Sequence, residues 1–461
     1  MRNIFYGFIV CIGIFLSADI RAEAEPLVLT LDDSIRMTLE TDEAIDAAKA
    51  SQKAAKWTLS SARRASGIGL QWTSSGYRNG GRDYRSGNRD YTYSNSLGVM
   101  FPLYTGGRIE NTIKRRSYEL NAADAQVELS LQNVRYKAIA AYYDALQKEN
   151  MLSVAQSAVN MGEAQLKMLT VQFEEGAVAR SDLLQMQVQL AGYQQDLLRA
   201  QGALKVSMST LKSCVGVSPK QEVTLADGFI YEPYPHDLDE CTDFALRNRP
   251  DGIAAAYGVK AAKSAKDVAK SADRPTLNAV MSRNITGDGA FRQERSSNWQ
   301  AGFNLTWNIF DNGATAANVQ TADAEVVRRE AVLKETLKTI RLQTENAYTQ
   351  MRAAEERIAA AQHALRQAEK SNDLAKIRYE EGVDILLNVM DAQEKLTQAR
   401  TRYYTALYEY NLYRAELVKS MGSPLWVDLT KYVAAEESGK SASLAWQEAS
   451  LEKEAHEEAL E

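Results

Sequence analysis

Ser297-Asn-Trp-Gln-Ala-Gly-Phe-Asn-Leu-Thr-Trp-Asn-Ile-Phe-Asp-Asn-Gly313 alternates apolar and polar residues almost without fault. Successive side chains of an extended chain point to opposite faces. Trp299, Ala301, Phe303, Leu305, Trp307 and Ile309 therefore share one face, and Asn298, Gln300, Gly302, Asn304, Thr306 and Asn308 the other. Taken alone, a sandwich strand with one solvated face would give the same pattern. The continuation decides: from Ala314 to Glu381 there is no Pro and no Gly, and Ala, Glu, Lys, Arg, Leu and Gln dominate, all good helix formers. This predicts an amphipathic strand feeding one helix about 100 Å long.

The arrangement occurs twice. Phe101-Pro-Leu-Tyr-Thr-Gly-Gly107 stands before a first rod as Trp307-Asn-Ile-Phe-Asp-Asn-Gly313 stands before the second, with Tyr104 and Phe310 offset by 206. Phe173-Glu-Glu-Gly176 and Tyr379-Glu-Glu-Gly382 keep that offset of 206, as do Cys214-Val-Gly216 and Ser420-Met-Gly422. Landmarks in register without an insertion indicate a duplicated unit.

Within the second rod, Leu333, Leu337, Ile340, Thr344, Ala347, Met351, Ala354, Ile358, Ala361, Leu365 and Ala368 follow four-three spacing with one polar member. That is a coiled-coil seam, so the rods pack against other helices. Gly176 and Gly382 punctuate the rods, and Pro219 and Pro424 forbid continuation of the helices that return. Each repeat reads as a helical hairpin whose turn lies far from its strands.

Met1 to Ala24, with Arg2, an apolar run and Ala22-Glu-Ala24, reads as a signal for export. Cys11 follows bulky Val10, where a lipid-attachment site needs a small residue. No later stretch has the roughly 20 apolar residues of a membrane helix, so any span of the mature chain must be β. Cys214 and Cys241 read as two small buried thiols or as a disulfide pair. The formal charge of −6 resides in the tail, since Ala434 to Glu461 holds eight Glu against two Lys; nothing points to nucleic acid.

In order, the chain divides into the signal (1–24), repeat 1 (25–216), a linker (217–237), repeat 2 (238–422), an end segment (423–433) and an acidic, disordered tail (434–461). Repeat 1 is expected to hold strands near Gly69–Tyr77 and Tyr91–Tyr104, and repeat 2 near Thr276–Ile285 and Ser297–Phe310, with exposed loops between. The fold class is mainly α with a β-barrel part. Four strands cannot close on themselves, because small closed barrels need about eight, and lipid does not tolerate an open edge. Several chains must pool their strands, with Trp299, Phe303, Leu305 and Trp307 toward lipid.

These residues resemble the outer-membrane efflux and secretion channels typified by TolC, in Pro102-Leu-Tyr-Thr-Gly-Gly107, Ile309-Phe-Asp-Asn-Gly313, Tyr379-Glu-Glu-Gly382 with Asn388-Val-Met-Asp391, and in the duplication. The resemblance implies a homotrimer with a 12-stranded barrel, a long periplasmic α-barrel, and a tip that docks onto a periplasmic adaptor and an inner-membrane pump. It implies adaptor docking at the turns, Gly176, Ala177, Val178, Gly382 and Val383, and an aperture at Asp182, Asn388 and Asp391. Asn388 stands where the family's best-known member has an acid, and Gln185 is neutral, so a full ring of carboxylates is not expected. Glu174, Glu175, Glu380 and Glu381 bias the mouth negative.

His236, His363 and His456 are scattered, with no spacing suited to a metal, and no phosphate loop or nucleophile motif occurs. The chain reads as a passive duct without catalysis or cofactor. The rival reading is a secreted or periplasmic structural coiled-coil or adaptor protein, and adaptors usually carry one hairpin rather than two.

Overall fold

Two helices of 67 residues each, α3 (Arg108–Glu174) and α7 (Ala314–Glu380), frame the molecule. Each turns back into a helix of 36 residues, α4 (Arg180–Val215) and α8 (Leu386–Met421). A computed structural model describes residues 27–78, 91–287 and 294–423. The export signal, the stretches 79–90 and 288–293, the end segment beyond Ser423 and the acidic tail lie outside the described residues.

A 36-residue helix covers only half of its 67-residue partner, and shorter helices cover the rest. α1 (Leu31–Thr41) and α2 (Glu43–Arg64) lie on α3, where Lys137 Nζ meets Asp42 at 2.8 Å and Gln52 donates to Asp124 at 2.9 Å. α5 (Leu238–Asn248) and α6 (Pro250–Lys270) serve α7, with Lys263–Glu330 at 2.9 Å and Lys266–Asp323 at 2.5 Å. Local chemistry separates these pieces. Asp42 accepts from Ala44 N–H at 2.9 Å and restarts the helix. Pro250 takes the first position of α6, where a missing N–H costs nothing.

The α7 seam packs as the spacing requires. Ile340, Thr344, Ala347, Met351, Ala354 and Ile358 are buried, and much of this stretch forms a core with Ala406, Leu407, Tyr410 and Leu417 of α8. Thr344 keeps its hydroxyl satisfied by donating to Ile340 O at 3.0 Å, with Ser420 O also in reach at 3.3 Å. Met351 is wholly buried beside two alanines, which let the helices approach.

The linker is more ordered than its sequence suggests. β1 (Leu27–Leu29) pairs in parallel with β4 (Val223–Leu225), placing both against α3 and α4. Asp227 then accepts the Leu31 N–H at 2.7 Å, and its own N–H donates to the Tyr142 hydroxyl at 3.2 Å. Further on, Glu232 O accepts from the Tyr410 hydroxyl, so the linker ties both repeats at the waist. Cys214 and Cys241 are free thiols, the first half-buried and the second buried, and no disulfide joins them.

The second sheet has the order β2 (Gly69–Arg78), β3 (Tyr91–Tyr104), β5 (Thr276–Gly287), β6 (Glu294–Thr306), antiparallel throughout. Several strand boundaries differ from the sequence reading. β5 and β6 run further toward their connection, through Gly287 and from Glu294. At the other end β6 stops at Thr306 rather than Phe310, because its ladder partner begins at Thr276, after Pro275, which has no N–H to offer. Trp307 is therefore not a strand residue; its indole N–H donates to Asp273 O at 3.0 Å.

Gly382 and Gly422 test what the turns require. Both sit at positive φ (74° and 70°), but a Cβ on Gly382 meets nothing within 4 Å, whereas on Gly422 it would lie 2.7 Å from Arg249 Cα. Gly382→Ala should cost about 1–2 kcal/mol from the left-handed backbone. Gly422→Ala should cost about 1–3 kcal/mol more from overpacking. Thermal unfolding followed by circular dichroism should rank Gly422→Ala clearly below Gly382→Ala, and equal losses would mean the Arg249 contact is immaterial.

Candidate functional site

Cross-strand register turns the alternation of single strands into two continuous surfaces. One carries the rows Phe101–Ala279–Phe303 and Leu70–Val99–Met281–Ala301, with Leu277–Leu305 below them. Phe303 is 74% exposed, so this face is presented to its surroundings. The next row, Trp72–Leu97–Arg283–Trp299, brings in one cation, and Arg283 Nε donates to Ser297 Oγ at 3.4 Å on the neighbouring strand. Beyond it the row Ser74–Asn95–Ile285–Ser297 is polar in three of its four places, and the apolar belt thins out there.

The opposite face carries Thr73–Ser96–Asn284–Asn298 and Gln71–Gly98–Ser282–Gln300, with Asn278 opposite Asn304. Met100 and Val280 interrupt it, each beside a glycine, Gly69 and Gly302. Both outer edges, β2 and β6, have no strand beyond them among the described residues.

Each strand pair meets its rod at equivalent points. Asp311 accepts from Gly313 N–H at 3.0 Å and Thr315 N–H at 2.7 Å. Thr105, at the corresponding place, accepts from Ile109 N–H at 3.3 Å. These contacts satisfy N–H groups that have no partner inside the helix and set the sheet at the end of the rods.

At the far end both hairpins turn by the same device. Ala177 N–H bonds Gln172 O at 2.7 Å and Gly176 N–H bonds Phe173 O at 3.0 Å; Val383–Arg378 at 2.9 Å and Gly382–Tyr379 at 3.0 Å repeat the pattern. Paired bonds of this kind with glycine in the left-handed region are Schellman turns. The tips are joined by a core of Leu169 and Met186 from the first hairpin with Leu386 and Met390 from the second. The Tyr379 hydroxyl reaches across to Gln172 Oε1 at 3.2 Å, and burial, with the nearby Asp182 charge, raises the Tyr379 phenol above its ordinary value.

The residues singled out from the sequence occupy this tip, with different partners from those expected. Asp182 is half-buried in the first turn of α4. Asp391 is exposed but ion-paired with Lys395 Nζ at 2.6 Å, one helical turn on. Asn388 donates its amide to Asp384 Oδ1, a residue the sequence reading did not single out. Asp384 also accepts Ile385 N–H at 2.9 Å and lies 3.5 Å from Arg378 Nε. The Asn388 amide, the Ile385 N–H and Arg378 hold its carboxyl below the ordinary value for an aspartate. The signal was a break in the repeat, since Val178 stands at the equivalent place.

The sequence matches the profile of the outer membrane efflux proteins over residues 34–217 and 242–423. The chain belongs to that family. Among relatives of this outer membrane efflux protein, Protein CyaE of Bordetella pertussis is 27% identical over 299 residues, covering 62% of this chain and 63% of the relative. Outer membrane protein TolC of Vibrio cholerae is 22% identical over 322 residues, covering 65% and 70%. The chain spans about two thirds of the length of such curated relatives, between 63% and 66% for the first three. The crystal structure of the outer membrane protein VceC from Vibrio cholerae superposes with a TM-score of 0.74 at 18% identity, covering 85% of this chain and 96% of that one. The fold of this outer membrane efflux protein is thus a helical rod with a β-domain at one end.

Asp384 gives this tip a pH dependence of definite sign. Its folded pKa is lowered, so the order it confers is complete above the ordinary carboxylate value and lost as pH falls through the lowered one. Amide protection factors of residues 385–390, from hydrogen exchange, should be steady from neutral pH to about 5 and then drop. In Asp384→Ala they should be severalfold lower at neutral pH and should show no further drop in acid, where the two proteins converge.

Proposed function

We propose that the chain is the outer-membrane duct of an efflux pump or a type I secretion system, carrying substrates handed over by an inner-membrane transporter through a periplasmic adaptor. The observation that carries the reading is the two-faced sheet, apolar on one side and lined with Asn, Gln, Ser and Thr on the other, open at both edges and continuous with a rod. In lipid the edges must find strands, and three copies contribute twelve, enough for a barrel with a wet interior. The apolar belt, with Phe303 and Leu305, then meets lipid and the polar face lines the lumen. Trp307, just past the strand, sits where aromatic residues mark the membrane boundary.

The rods extend the lumen through the periplasm. The turns, with Gly176, Ala177, Val178, Gly382 and Val383, are the docking end for the adaptor, and Asp182, Asn388 and Asp391 surround the aperture. The duct is passive and its energy comes from the transporter.

Two measurements test this. The mature protein should fractionate with outer membrane and run as a trimer in mild detergent. Phe303→Arg should reduce trimer yield strongly, since a cation at mid-bilayer on a barrel costs about 2–4 kcal/mol, whereas Asn304→Arg should be mild. A soluble periplasmic monomer, or equal damage at both positions, would overturn the reading. In planar bilayers, Asp182→Asn should lower cation preference more than Asp391→Asn, whose charge Lys395 already offsets. The reverse order would remove Asp182 from the aperture.

A further inference from the structure

Arg283 stands on the apolar face without an opposite charge beside it. In the rows from Leu277–Leu305 to Ser74–Asn95–Ile285–Ser297 it is the one charged residue, and no Asp or Glu occurs among them. Along β5 its neighbours on that face are Met281 and Ile285, and across the ladder Leu97 and Trp299. The diagonal places, still within reach of a long side chain, hold Asn95, Val99, Ser297 and Ala301. The side chain is exposed and gives its Nε–H to the Ser297 hydroxyl, which leaves the outer N–H groups of the fork for a further acceptor. β5 lies between β3 and β6 of the same chain, so when copies join at their edges no strand of another copy comes beside Arg283. An answering anion therefore approaches from the medium that this face meets.

The depth of the row identifies that medium. Trp307 marks one boundary of the belt and follows Thr306, which lies opposite Thr276. From that level to Arg283 is about 26 Å along β5 at the usual rise of a strand, or about 20 Å along the axis of a barrel whose strands tilt by about 40°. The outward apolar band of such barrels is about 25 Å tall. An Arg side chain spans the remainder, because its stem can lie along apolar surface while its head seeks water. A cation is costly at mid-bilayer and costs little near the interfaces. Trp72 and Trp299, 62% and 72% exposed, share the row, and indoles favour the level of the headgroups.

We propose that Arg283 binds a phosphate of a lipid headgroup in the leaflet remote from the rods, an inference that rests on the duct reading above. The planar guanidinium presents parallel N–H groups to two phosphate oxygens at once. The acyl chains of the same lipid lie down the belt over Met281, Ala301 and Phe303, which continue the face toward the rods. A free phosphate ion gains only the first of these contacts, so the lipid is retained where inorganic phosphate is not.

The test uses the full chain purified in mild detergent, with diphosphoryl lipid A as the probe. Native mass spectrometry should show the lipid retained on the wild-type protein, and the lipid should raise the midpoint of thermal unfolding. Arg283→Gln should run as the same oligomer, retain severalfold less lipid and lose most of that rise. Arg283→Lys should keep the larger part of both, and Arg108→Gln, an exposed cation at the rod end of the sheet, should match the wild type. Lipid A stripped of its phosphates should be retained severalfold less than the diphosphoryl form. Equal retention by the wild type and Arg283→Gln, or an equal rise with inorganic phosphate at the same concentration, would overturn the proposal. A soluble monomer would overturn the duct reading beneath it, whereas a membrane trimer whose lipid binding ignores Arg283 would overturn this inference alone.

Discussion

The outward-facing backbone groups of β2 and β6 set the terms for the whole molecule. Water can satisfy an open sheet edge and hydrocarbon cannot, so a sheet with an apolar face this broad either finds further strands or stays out of lipid. Closing such a sheet with strands from other copies removes the edges and converts the sidedness of each strand into the sidedness of a wall. The long helices meet a related demand within the chain: the coiled-coil spacing of α7 packs it against α8, so that each rod is held as a pair before any further copy is considered.

The waist joins the two repeats a third time, between the β3–β5 ladder at one end and the tip core at the other. The sheet is joined to each rod through a short turn, so forces on the rods would reach it through few contacts. The parallel pairing of β1 with β4, Asp227 at the start of α1 and the linker carbonyl held by Tyr410 brace both rods where the short helices take over from the hairpins. Buried tyrosines are well suited to such bracing, since each fills a large apolar volume and ends in a hydroxyl that fixes backbone polar groups.

The strands, rods, turns and duplication were legible in the sequence because each rests on a period or a landmark recurring at a fixed offset. The α7 seam is buried through its middle and half-buried at both ends, as four-three spacing implies. The β1–β4 pair was not legible: three residues are too few to show alternation, and their partners lie almost two hundred positions apart. β6 was read four residues too long because alternation persists through Trp307 and Ile309 after the ladder has run out of partner. At the tip, Asp182, Asn388 and Asp391 could be located, but Asp384 took its role from the turn, which brings Arg378 and the Asn388 amide to one carboxylate.

The matched lengths of the two hairpins, 67 and 36 residues in each, make the reach of the protein a shared dimension. Removing one heptad from a single arm would displace its seam by about 10 Å, leaving one turn short of its neighbour and breaking the tip core that spans both. Length can therefore change only by segments that restore the phase of the helix, of about 7 or 11 residues, and in matched arms together. A population of such proteins would differ in length by steps, as a vernier does, with no intermediate values.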